Sequence, residues 1–115
     1  MPAIDILIAL LTIAFGAFGF VAPRYTASAL DLAPTDSTMG LSELRAGSGG
    51  LFVALGVWCL LAGAPACFAL GIAYFGAGAG RALSILLDRP PLKKALVFLA
   101  FEWPPAAYLI WVHWP

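Results

Sequence analysis

Three ionisable side chains stand in or beside long apolar stretches, and any chemistry this chain performs begins with them: Arg45, Arg81 and Glu102. Arg81 precedes Asp88 by about 10 Å of helix, and Glu102 follows Lys94 by about 12 Å. On antiparallel neighbours joined by a short loop, the two therefore reach nearly the same depth. An acid and a base at matched depth in a bilayer are expected to pair. Left alone, each costs about 2.5–3.5 kcal/mol even on the lenient insertion scale. Arg45 sits closer to an interface, where its stem either snorkels outward or brings the guanidinium to the pair. Glu43, Ser48 and Ser84 lie on nearby turns as further hydrogen-bonding groups. Such a polar knot has two readings. It orients helices through one specific ionic contact, or it holds a small ligand or a proton. In so short a chain the first weighs more.

Pro104 and Pro105 follow Glu102 closely. Each removes an N–H and crowds the carbonyl four residues back, here those of Ala100 and Phe101. A bend is expected there, with freed carbonyls flanking Glu102 that an arginine can satisfy.

Other chemistries find no footing. His113 is the single histidine and falls at a membrane edge, so ligation of haem or chlorophyll by a histidine inside a span is not expected. No Ser-His-Asp or Cys-His set can be assembled, and no metal-ligand spacing is present. The run Gly76-Ala77-Gly78-Ala79-Gly80 lacks the preceding strand and the following Lys-Ser/Thr of a phosphate loop. Cys59 and Cys67 flank a turn on the side where a disulfide survives. Two free thiols acting as small apolar filler are the preferred reading. No catalytic, cofactor-binding or metal-binding residue is expected.

The elements that must position these groups follow from composition. Of 115 residues, 63% are hydrophobic and 10% charged, with six Lys+Arg against six Asp+Glu. Soluble domains run near 45–50% apolar and about 25% charged. That excludes a soluble enzyme, a disordered chain and a nucleic-acid binder, which needs a basic face. Charge-free stretches run from Ile6 to Pro23 and from Ala46 to Gly80. The second is too long for one crossing of about 20 residues, and Gly63-Ala64-Pro65 breaks it. The result is an all-α, single integral membrane domain over residues 1–115. Four transmembrane helices, roughly 4–23, 37–63, 66–88 and 92–114, form an up-down-up-down bundle with the last kinked at Pro104-Pro105. The first stretch lacks the basic start and the small-residue cleavage pattern of a signal peptide and reads as a retained helix. Residues 23–41 read as one long loop, with Pro34-Thr35-Asp36-Ser37 offering a helix start near Ser37.

With four crossings, Arg24, Arg45, Arg89, Lys93 and Lys94 share one side, which the positive-inside rule assigns to the cytoplasm. Both termini then face outward, and Trp58, Trp111 and Trp114 form an outer aromatic belt. Lipid tails are as apolar as Leu, so close packing must hold the helices together. The rows Ala46, Gly50, Ala54 and Gly76, Gly80 offer the small faces for it, with Gly16 and Gly19 on the first helix.

The segments Arg45-Ala46-Gly47-Ser48-Gly49-Gly50 and Gly80-Arg81-Ala82-Leu83-Ser84, with Asp88, Pro90-Pro91 and Glu102, carry a resemblance across nearly the whole chain. It resembles the domain of unknown function 4345 family, small four-helix bacterial membrane proteins distantly similar to the DoxX-like group. Ser48 stands where that pattern suggests an aromatic residue, and Arg89 where it suggests a glycine. The resemblance implies a four-helix fold in a bacterial inner membrane and no particular reaction. The functional expectation is a non-enzymatic accessory or scaffold subunit packed against a larger membrane complex, respiratory or photosynthetic. The alternative is a binder of a small amphiphile (quinone or lipid) or of a proton at the Arg/Glu site. Beyond bound lipid or quinone no cofactor is expected; the partners are membrane lipids and that complex, with no nucleic acid.

Overall fold

A computed structural model describes residues 1–115, and it is all-helical: α1 (Ala3–Val21), α2 (Pro23–Ala29), α3 (Met39–Ala62), α4 (Ala64–Leu87) and α5 (Leu92–Val112). All but α2 are long and apolar enough to cross a membrane. The expected spans are recovered to within about two residues at every end, the ordinary uncertainty of helix termini. Only 17% to 33% of each span is buried within the chain. Trp111 is 84% exposed, and Leu61 and Leu86 are 76% exposed. Such an exterior suits hydrocarbon and not water. The helices fall into two compact units, Met1–Leu61 and Ala62–Pro115.

The first unit is built on a stripe of small residues. Asp5, Ala9, Thr12, Gly16 and Gly19 are buried along α1, at the alternating four-and-three spacing that keeps one helix face toward a partner. Thr12 needs no outside acceptor, since its hydroxyl donates to the Ile8 carbonyl at 2.7 Å. The partner is α3, running antiparallel: Gly56 meets Ala9 and Ile13, Val53 meets Gly16, and Gly49 meets Gly19 and Phe20. A Cβ placed on Gly49 would lie 2.5 Å from the Phe20 nitrogen. Backbone touches backbone there, and only glycine permits it.

This corrects the expected row Ala46, Gly50, Ala54. Ala46 and Ala54 are exposed, Gly50 is half-buried, and the seam runs through Gly49, Val53 and Gly56. The cause is a π-helical segment, Leu44–Gly50, inside α3. A π turn closes i→i+5 and so adds a residue to the repeat. The buried positions accordingly step by five from Leu44 to Gly49, after Leu41 to Leu44 in the ordinary step of three.

The connection before α3 is not one long loop. Pro23 starts α2 at a position where its missing N–H costs nothing. The helix stops at Asp31, φ 60. Leu32 N–H donates to the Ala27 carbonyl at 2.8 Å and Asp31 N–H to that of Ser28 at 3.1 Å, the paired bonds of a Schellman cap. Ala27 then packs with Leu41 and Leu44, flanked by Leu30. α3 begins at Met39, and its first N–H donates to the Ser37 hydroxyl at 3.2 Å.

In the second unit α4 starts directly after Gly63, whose φ of 72 is open to glycine and costly for other residues. α4 and α5 are antiparallel, with Gly71 against Leu109 and Ile110 and Gly78 beneath the Trp103 indole. Phe68 meets Trp114 edge-on at 5.8 Å. Gly76 and Gly80, expected at the seam, are exposed and would have nothing within 4 Å of an added Cβ. At 3.6 residues per turn both lie about 160° around the helix from Gly78. The central glycine of that run makes the contact and the outer two face away. α5 passes through Pro104 and Pro105 without interruption. Cys59, in the first unit, and Cys67, in the second, are both fully buried, and neither is a free thiol. The preference for free thiols is therefore corrected; residue size alone carries no information about oxidation.

Candidate functional site

The polar centre of the second unit grows from two helix faces. On α4, Cys67, Gly71, Tyr74, Gly78 and Arg81 continue a single four-and-three repeat. The face that seats Gly78 against α5 thus delivers Arg81 one turn later. On α5, Phe98 and Glu102 are four apart and share a face. Arg81 Nε donates to Glu102 Oε1 at 2.7 Å and Nη2 donates to Oε2 at 2.9 Å. The guanidinium also lies over the Phe98 ring, 5.0 Å from its centroid. A planar fork on a carboxylate, with a ring on the cation's face, is a strongly directional arrangement. The side chains are 31% and 13% exposed.

The knot expected from Arg45, Arg81 and Glu102 forms as a pair. Arg45 Nη1 donates at 2.6 Å to the Phe20 carbonyl in the first unit. Phe20 lies in the last turn of α1, where carbonyls have no partner within the helix. Arg45 is thus a cap for α1. Both hydrogen bonds of Arg81 end on the carboxylate, so the Ala100 and Phe101 carbonyls are not its acceptors. Ser84 donates to Asp88 Oδ2 at 2.8 Å, one turn along its own helix. Glu43 and Ser48 are exposed on α3, and the Ser48 backbone abuts Gly19.

Two features went unread in the sequence. One is Asp5, fully buried at the first position of the α1 stripe. It stands immediately before the charge-free stretch that begins at Ile6. The spacing Asp5, Ala9, Thr12, Gly16, Gly19 was the available signal. The other is an apolar cleft of about 870 Å³ in the second unit, lined by Phe75, Trp103, Ala106, Ala107, Ile110 and two further tryptophans, Trp111 and Trp114. Trp103 is steadied there by Nε1, which donates to the Phe75 carbonyl at 3.4 Å. Trp111 and Trp114 read as belt residues; their convergence with Trp103 depends on how α5 lies against α4.

The chain belongs to the family described as a domain of unknown function (DUF4345), whose model matches residues 3–113. No curated protein and no solved structure matches it.

Proposed function

We propose that this family member is a non-enzymatic, multi-pass protein of the bacterial inner membrane that packs as an accessory or scaffold subunit against a larger integral membrane complex, such as a respiratory or photosynthetic one. The observation that carries this reading is the closure of Arg81 on Glu102 within one helix pair. Each charge is balanced by the other through a two-bond fork. We read the pair as holding α4 and α5 in register, with its net charge already neutralised within the helix pair. Held this way, the cleft beside Trp103 is a fixed apolar surface. The small side chains of Ala106 and Ala107 in its lining would let a neighbouring transmembrane helix approach closely.

The distribution of Arg24, Arg45, Arg89, Lys93 and Lys94 supports an orientation with both termini outward and the intramembrane pair in the cytoplasmic half. A cysteine introduced as Ser37→Cys then reacts with an impermeant maleimide only after the membrane is opened. Labelling in intact cells refutes that orientation. The accessory role is tested by mild solubilisation at native abundance, native electrophoresis and mass spectrometry. Co-migration with one large complex, lost in Ala107→Trp, supports it. Migration as a free small protein refutes it.

A second reading, binding of a quinone or lipid, is favoured by the size of the cleft, which lies within the 300–1,000 Å³ typical of ligand pockets. In this reading the ligand lies against the tryptophans, and Arg81 and Glu102 do not touch it. Extraction of the purified protein followed by lipid mass spectrometry distinguishes it: a stoichiometric quinone or lipid released from wild type and absent from Ala107→Trp.

A further inference from the structure

A second, polar hollow lies wholly within the first unit, where α1 ends and α3 begins. It measures about 510 Å³, and its polar lining is Arg24, Tyr25, Thr38, Ser42 and Arg45. Two arginines and two residues with aliphatic hydroxyls thus line one notch. No lining residue is acidic, and neither arginine is held in an ion pair. Arg45 is fixed at one point by its bond to Phe20. A guanidinium has five N–H donors, so most of its capacity remains. Tyr25 is steadied against Phe18, with ring centroids 5.8 Å apart. The notch opens where the apolar span Ala3–Val21 gives out, which is the level of lipid headgroups if α1 crosses the bilayer.

From this placement we propose that the notch is a binding site for the phosphate of an anionic lipid headgroup, held between Arg24 and Arg45 with Thr38 and Ser42 as hydroxyl donors. Arginine matches phosphate geometry with parallel N–H bonds. A cluster of cations at the end of a span attracts anionic lipid at about 1 kcal/mol per residue. The site requires the membrane reading of α1 but not the accessory role, so loss of a partner complex leaves it standing.

The test uses the full chain in a zwitterionic detergent, with binding read by native mass spectrometry and by thermal shift. The probes are a short-chain phosphatidylglycerol, the matching phosphatidylcholine and inorganic phosphate. The expected result is preferential retention of phosphatidylglycerol over phosphatidylcholine, weakened about fivefold by Arg24→Gln and unchanged by Lys93→Gln, which removes an exposed cation from the second unit. Equal retention of the two lipids overturns the proposal. So does an equal loss in Arg24→Gln and Lys93→Gln, which would mark general charge attraction. Inorganic phosphate binding as tightly as the lipid would make the site one for a free anion and overturn the lipid assignment.

Discussion

Arg81 and Glu102 sit on different helices, 21 positions apart in sequence, and meet through two parallel hydrogen bonds of 2.7 and 2.9 Å. The geometry follows from register. The seam of α4 against α5 is set by Gly71 and Gly78, and the next turn brings the arginine level with the carboxylate. The ion pair is thus a consequence of glycine packing as well as a lock upon it.

Removing one partner should cost more than removing both. Glu102→Ala strands a guanidinium that is only 31% exposed, and the expected loss is about 2–3 kcal/mol, below the range for a fully buried pair. The double variant Arg81→Met/Glu102→Met should recover most of it, because packed apolar side chains often replace a buried pair at little cost. Thermal unfolding in mild detergent measures both. Additive losses from the two sites would show that the charges do not depend on each other.

The α1–α3 contact should be intolerant at Gly49. A methyl group there would lie 2.5 Å from backbone nitrogen of Phe20, and backbone cannot rotate aside as a side chain can. Gly49→Ala should destabilise by about 1–3 kcal/mol, the usual cost of overpacking. Wild-type thermal stability in that variant would mean the helices are further apart than described.

Gly76→Ala and Gly80→Ala should act in the opposite direction. Both positions are open, and alanine in a helix interior is favoured over glycine by about 0.5–1 kcal/mol. Gly78→Ala, between them, collides with Trp103 and should destabilise while altering tryptophan emission. A loss of stability at Gly76 or Gly80 would return them to a packing role.

Arg89→Gly should stabilise the chain. Arg89, next after the Asp88 cap of α4, has φ 50, in the left-handed region that costs a non-glycine residue about 1–2 kcal/mol. Pro90 follows without an N–H to complete a capping bond. The family pattern suggested glycine at this position, and the backbone supplies the reason. A gain of about 1 kcal/mol in the unfolding midpoint measurement is expected, and a loss would reveal a contact made by the arginine side chain.

What composition alone determined was the helical class and the apolar character of the elements. A chain 63% hydrophobic and 10% charged forms four helices long and apolar enough to cross a membrane, and Gly63 and the charged boundaries set their lengths. The meeting of Arg81 with Glu102 was also legible, since helix rise converts sequence distance into depth. Helix phase was not. Small residues at four-residue spacing occur on several faces at once, and Ala46, Gly50, Ala54 look as suitable as Gly49 and Gly56. The π turn at Leu44–Gly50 decides between them by adding one residue to the repeat, and nothing local in the sequence announces it. The same holds for Arg45. Its reach permits several acceptors at similar depth, and only the close approach of α1 to α3 selects the carbonyl of Phe20.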